Sequence, residues 1–173
     1  MAPAGNYVSP PMPESPFLAA TEASPRGPAK TRCPVRLNLT DGRMVDAEIF
    51  LLSDAVRPGG VTTVEGTLDG ERDFIPVSLN GSSALLSRDA IRTVEMAADC
   101  PGVGDLPDVG GTFDVVNLRL DSGEVLSGVL RTLAPVEAMR TSDIFNRHGR
   151  FLTLSTGDRL ILVAKKHLVH ASF

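Results

Sequence analysis

The chain of 173 residues contains no tryptophan and a single tyrosine. Bases stack on aromatic rings, so few platforms for single-stranded nucleic acid are on offer. A basic excess is missing too. Seventeen Lys and Arg face 21 Asp and Glu, leaving a net charge of −4, the wrong sign for a polyanion partner. Cysteine is limited to Cys33 and Cys100. Disulfide frameworks and metal sites use more cysteines or closer spacings, so these two read as unpaired thiols in a reducing compartment. No apolar run approaches the roughly 18 residues that span a bilayer. The N-terminus has no basic stretch followed by an apolar core and does not read as a secretory signal. The expectation is a cytoplasmic protein with no membrane contact.

Histidine is scarce: His148, His167 and His170. The last two are three residues apart, so on one strand they point to opposite faces. With no cysteine or carboxylate beside them they make no metal site. Gly-x-Ser-x-Gly, P-loop and Rossmann motifs are absent. Asp69 and Glu71 read as solvated turn residues with no cause for a raised pKa. Neither enzyme activity nor a cofactor is expected.

What is present is architecture. Residues 1–30 hold seven of the 13 prolines, which break helices and sheet ladders, so this part reads as a disordered Pro-rich tail. Its "YVSPPMPESPFL" suits an extended, polyproline-like docking segment. A second cluster of Gly, Pro and Asp, "AADCPGVGDLPDVGGT" at 97–112, reads as a linker. Two blocks remain, 31–96 and 113–173.

The blocks repeat each other. "VRLNLTDGRMVDAEIFL" and "VNLRLDSGEVLSGVLRT" both read as an alternating strand, a Gly turn and a second strand. Leu37, Leu39 and Gly42 match Leu118, Leu120 and Gly123. With Phe74 laid over Phe151, "FIPVSLNGSSALLSRDAIRTVEM" aligns without a gap on "FLTLSTGDRLILVAKKHLVHASF". In both, an apolar strand meets a basic residue, a short turn follows, and a last strand starts at Ile91 or Leu168. Phe74 and Phe151 are expected at equivalent core positions. About five short strands per block make a small barrel. The fold class is all-β: two tandem small barrels preceded by a disordered tail.

"VRLNLTDGRMVDAEIF" followed by "ALLSRDAIRTVEM" resembles the Sm-like, SH3-like small barrels. The second block, with "RTSDIFN" before "RFLTL", resembles bacterial proteins of unknown function built from such units. The resemblance implies the barrel fold. Sm proteins bind RNA partly through an Arg-Gly near the end of the unit, and "SRDAI" and "AKKHL" lack it, so RNA binding is not carried over. "RGPAKTRCPVRL" resembles the opening of PilZ domains, but "LLSDAVRPGG" lacks their Asp/Asn-x-Ser-x-x-Gly companion.

One stretch invites a binding role. "RTSDIFNRHGRF", residues 140–151, supplies Arg140, Asp143, Asn146, Arg147, His148 and Arg150 as candidates for an anion or an acidic partner. The competing reading is a polar connecting loop. Ser142 or Asp143 would cap one helical turn that buries Ile144 and Phe145, and Asn146 and Gly149 would take positive φ. The aligned "TVEGTLDGERDF" of the first block carries other residues at those places, which favours the loop. The first block is net −3 and the second +2, counting Lys, Arg, Asp and Glu. The functional expectation is a non-catalytic scaffold, adaptor or assembly protein. It would meet a protein partner or its own copies through barrel edge strands. The alternative is an Sm-like RNA- or nucleotide-binding protein.

Overall fold

The computed structural model describes residues 31–51, 63–100, 102, 103, 115–131, 141–146 and 149–173. The expected tail, Arg140, Arg147 and His148 lie outside the described residues. Among the described residues, ten strands alternate with two one-turn helices. In chain order they are β1 (Arg32–Leu39), β2 (Met44–Phe50), α1 (Val64–Asp69), β3 (Phe74–Leu79), β4 (Ser82–Ser87), β5 (Ile91–Ala97), β6 (Val115–Leu120), β7 (Val125–Arg131), α2 (Thr141–Asn146), β8 (Phe151–Ser155), β9 (Arg159–Ala164) and β10 (Leu168–Ser172). The all-β class holds.

All ten strands belong to one antiparallel sheet, ordered β10-β6-β7-β8-β9-β5-β1-β2-β3-β4. Each half runs in the same sense, fifth strand, then first to fourth. The halves are joined where β9 pairs with β5, from Thr93 opposite Val163 to Ala97 opposite Arg159. The sheet is open, ending in β10 on one side and β4 on the other.

Local chemistry explains the strands. In β1, Cys33, Val35, Leu37 and Leu39 are buried and alternate with Arg32, Pro34, Arg36 and Asn38. That period of two is what one buried sheet face requires. β6 repeats it with Val116, Leu118 and Leu120. Both first hairpins turn on a glycine at positive φ, Gly42 (85°) and Gly123 (86°), a conformation that costs other residues a Cβ clash. Asn80 and Gly81, both at positive φ, close β3 onto β4 in the two-residue loop geometry that matches strand twist.

The pairing reproduces the repeat in detail. Thr40 N–H donates to the Ala90 carbonyl, and Asp121 N–H donates to the His167 carbonyl, each at an equivalent place. The register slips between Asn38 and Leu39 in the β1·β5 pairing and between Leu168 and His170 in the β10·β6 pairing. A turn of 3₁₀ helix covers Arg88–Ala90 and Lys165–His167, and the last strands start at Ile91 and Leu168 as the sequence predicts. The polar loops hold matching helices, α1 and α2. Thr63 caps α1 by accepting a hydrogen bond from Gly66 N–H at 3.0 Å, and the sequence reading missed this helix. In α2, Ile144 and Phe145 are half-buried against the second core, as expected. Gly149 takes φ 125°, whereas Asn146 is helical; its expected positive φ is not seen.

Two cores result. The first gathers Leu37, Ile49, Val64, Leu68, Ile75, Val77, Ile91 and Val94. It also takes Phe151, Leu160, Leu162 and Ala164 from the second half. The second core holds Val116, Leu118, Leu120, Leu130, Leu152, Leu154 and Val163. Strand β9 therefore sends alternate side chains into different cores, which is why "RLILVA" reads as a nearly continuous apolar run. Burying side chains such as Leu160 and Leu162 contributes about 1.5–3 kcal/mol each.

Two further expectations need correction. Phe74 and Phe151 both open the third strand of their half, yet Phe151 is 5% exposed and Phe74 54%. The neighbouring strand makes the difference. Phe151 lies beside β9, which the first half covers, whereas Phe74 lies beside β4, the end of the sheet. Cys33 and Cys100 are joined as a disulfide, and there is no free cysteine. The expected free thiols are overturned because the segment after β5 folds back onto the start of β1. Val64 N–H donates to the Gly102 carbonyl at 2.8 Å, which holds that segment beside α1.

A cationic hollow on the seam between the halves

The β5·β9 seam is flanked by polar links. Asp121, in the turn after β6, accepts from Arg92 Nε at 2.8 Å and lies 2.6 Å from His167 Nδ1. Arg92 is almost fully buried, and its Nη1 also donates to the Leu39 carbonyl at 2.9 Å. Asn38 Nδ2 donates to Glu124 at 3.1 Å, and Arg159 pairs with Glu95. His167 and His170 do not share a strand. His167 sits in the 3₁₀ turn, and His170 is exposed on β10. Among the described residues no group of three or more His, Cys, Asp or Glu side chains is placed to hold a metal ion.

The His167 hydrogen bond holds the Asp121 carboxyl below its usual value of 3.8, and Arg92 adds to the effect. A carboxyl with a depressed folded-state pKa contributes stability that is present above the unfolded value and is lost as pH falls through the folded one. Asp89, depressed by Lys166 across the seam, acts in the same direction. The expected outcome is a loss of unfolding free energy below about pH 4, and Asp121→Asn should flatten that acid limb. Denaturant titrations at stepped pH would show it. Parallel acid limbs for both proteins would contradict it.

Beside these links the seam opens into a hollow of ≈310 Å³ lined by Arg88, Asp89, Arg150, Phe151, Ala164, Lys165 and Lys166. The two 3₁₀ turns bring these residues together. Lys165 N–H donates to the Arg150 carbonyl at 2.9 Å, so the second turn lies against the residue before β8. Lys166 Nζ reaches Asp89 Oδ1 at 2.6 Å and the Asp89 carbonyl at 2.8 Å, tying the two turns together. Arg88 is 2% exposed. Its Nη1 donates to the Gly70 carbonyl, while Nε and Nη2 are buried without a partner among the described residues. Burial holds the Arg88 guanidinium below its usual range, and the charge of Arg150 adds to this. It stays protonated nonetheless, as arginine does in proteins.

Of the sequence candidates, Arg150 lines the hollow, and Asp143 and Asn146 do not. Both lie on exposed positions of α2, where Asn146 Nδ2 donates to the Ser142 carbonyl at 2.9 Å. Asp69 is not a free turn carboxylate. It accepts at Oδ1 from the backbone N–H of Arg150 (2.7 Å) and Phe151 (3.2 Å), pinning the start of β8 to the end of α1. The sequence reading did not bring Arg88 to Arg150, Lys165 and Lys166; its signal was the basic residue that follows the fourth strand in both copies. Four cations and one carboxylate over an apolar floor of Phe151 and Ala164 suit an anionic group attached to an apolar one.

No family model, curated protein or solved structure matches the chain.

Proposed function

We propose that this protein is a non-catalytic assembly or adaptor module built from two fused copies of one small Sm-like, SH3-like barrel unit. The observation that carries this reading is the pair of open sheet ends. Leu85 (72% exposed) on β4 and Val169 (66%) on β10 stand uncovered at the two ends. Open edges offer backbone donors and acceptors to another strand, and exposed apolar side chains beside them mark interaction surface. Edge-on pairing with a protein is therefore what the architecture supports best. No helix among the described residues is long and apolar enough to cross a membrane. The cytoplasmic location expected from free thiols loses that support, since disulfides persist mainly in oxidising compartments.

The hollow favours a second reading, nucleic-acid or nucleotide binding, because Arg88, Arg150, Lys165 and Lys166 converge there. The overall charge of −4 opposes it. The expected result is no appreciable binding to mixed-sequence RNA or DNA at physiological salt, measured by fluorescence anisotropy. A phosphate-driven complex would instead weaken steeply with salt, with a log-log slope near about −0.7 per neutralised phosphate on single strands. Micromolar or tighter binding that disappears in an Arg147→Ala/Arg150→Ala variant would replace the assembly reading with this one.

A further inference from the structure

We infer that the chain joins to further copies of itself head to tail, β10 of one copy pairing with β4 of the next. The inference rests on the assembly reading and names its partner. The template lies inside the molecule. The seam is a fourth strand, β9, paired with a fifth strand, β5. The sheet ends in the other fourth strand, β4, and the other fifth strand, β10. One end of the molecule is thus the structural counterpart of what the opposite end lacks.

The repeat sets the register. In the seam Val94 lies opposite Leu162 and Met96 opposite Leu160. The matching positions are Ala171 and Phe173 at one end, Leu85 and Ser83 at the other. Ala171 of one copy then faces Leu85 of the next, and Phe173 faces Ser83. Leu162 is 2% exposed where the seam covers it, whereas its counterpart Leu85 is 72% exposed; Phe173 is 71% exposed. Beside β4 a hollow of ≈380 Å³, lined by Phe50, Pro76, Ser83, Ala84 and Leu85, stands open where the Phe173 ring would arrive.

Neither edge is defended. Strands β4 and β10, "SSALLS" and "LVHAS", contain no Lys, Arg, Asp or Glu, although charge is the usual device that keeps edges apart. Lys166 and Asp89 occupy equivalent turns, so Lys166 at the β10 end of one copy comes beside Asp89 at the β4 end of the next, each keeping its partner within its own chain. The seam's Arg92–Asp121 pair does not recur; Val169 and Thr40 take its place. The contact between copies consequently carries fewer charges than the seam and fewer apolar side chains, Ser83 standing where the seam has Leu160, and is weaker and dependent on concentration. Because the two surfaces differ, the contact is heterologous, giving a ring if the rotation closes and a filament if it does not.

The test uses the full chain. Leu85→Cys and Ala171→Cys are made separately, the native cysteines being already bonded to each other. On mild oxidation a covalent dimer is expected only when the two variants are mixed. Sedimentation of the unmodified protein should give an average mass rising from 18.3 kDa with concentration, and Leu85→Lys should hold it at one chain. Leu85 is exposed, so this change should leave the unfolding midpoint in place. A one-chain mass at every concentration would overturn the inference, as would cross-linking of either variant with itself. The assembly reading would survive a one-chain mass, since the nucleic-acid measurement judges it independently.

Discussion

Phe151→Ala is expected to destabilise the protein by about 3–5 kcal/mol, the range for truncating a buried aromatic. Phe74→Ala should change stability by no more than about 0.5 kcal/mol, as surface substitutions usually do. The two residues align and both open the third strand of their half. Only Phe151 is enclosed, because β9 beside it is covered by the first half and its ring joins Leu160, Leu162 and the α1 residues Val64 and Leu68 in the first core. Truncation would leave a cavity beneath the seam and loosen both halves together. The measurement is the denaturant midpoint of each variant, taken dilute enough that single chains dominate. Equal shifts for the two variants would mean that the halves are not joined as described.

The second large effect concerns the disulfide. Cys33 is the second residue of β1 and Cys100 follows β5, with a sequence separation of 67. Closing a loop of that length removes entropy from the unfolded chain worth about 4 kcal/mol. Reduction, or the double change Cys33→Ser/Cys100→Ser, should lower stability by about that amount. Both cysteines are buried, so the native protein should resist mild reductant that reduces the unfolded chain. Thiol titration in denaturant without reductant should find none. Two titratable thiols, together with a midpoint indifferent to reductant, would contradict the pairing.

Much of this architecture is legible in the sequence, because local rules act locally. Alternation placed β1 and β6, glycine placed their turns, and the repeated apolar strand followed by a basic residue placed the starts of β5 and β10. The disulfide was not legible. It depends on the chain after β5 returning to β1, a long-range event that two cysteines far apart in sequence do not announce. The different fates of Phe74 and Phe151 were hidden for a related reason. Equivalent sequence positions share a local conformation, but burial depends on what the neighbouring strand meets, and only one fourth strand meets a fifth strand within the chain. In hindsight β9 carried a mark of this. "RLILVA" is apolar at consecutive positions, whereas its counterpart "SSALLS" has serine where β9 has Leu160 and Ala164. The hollow was half legible. Arg150 is singled out and a basic residue after each fourth strand is legible, but the meeting of Arg150 with Arg88, Lys165 and Lys166 depends on two 3₁₀ turns from different halves lying side by side.

The β5·β9 seam joins the two halves into one sheet, and through-space proton contacts across it in solution test that union most directly. On isotope-labelled protein, NMR should show cross-strand contacts placing Val94 opposite Leu162 and Met96 opposite Leu160. The hydrogen-bonded amides of both strands should exchange with solvent as slowly as those of β1. Absence of these contacts, with fast exchange along β5 and β9 while β1 and β6 stay protected, would show two independent units and contradict the single sheet.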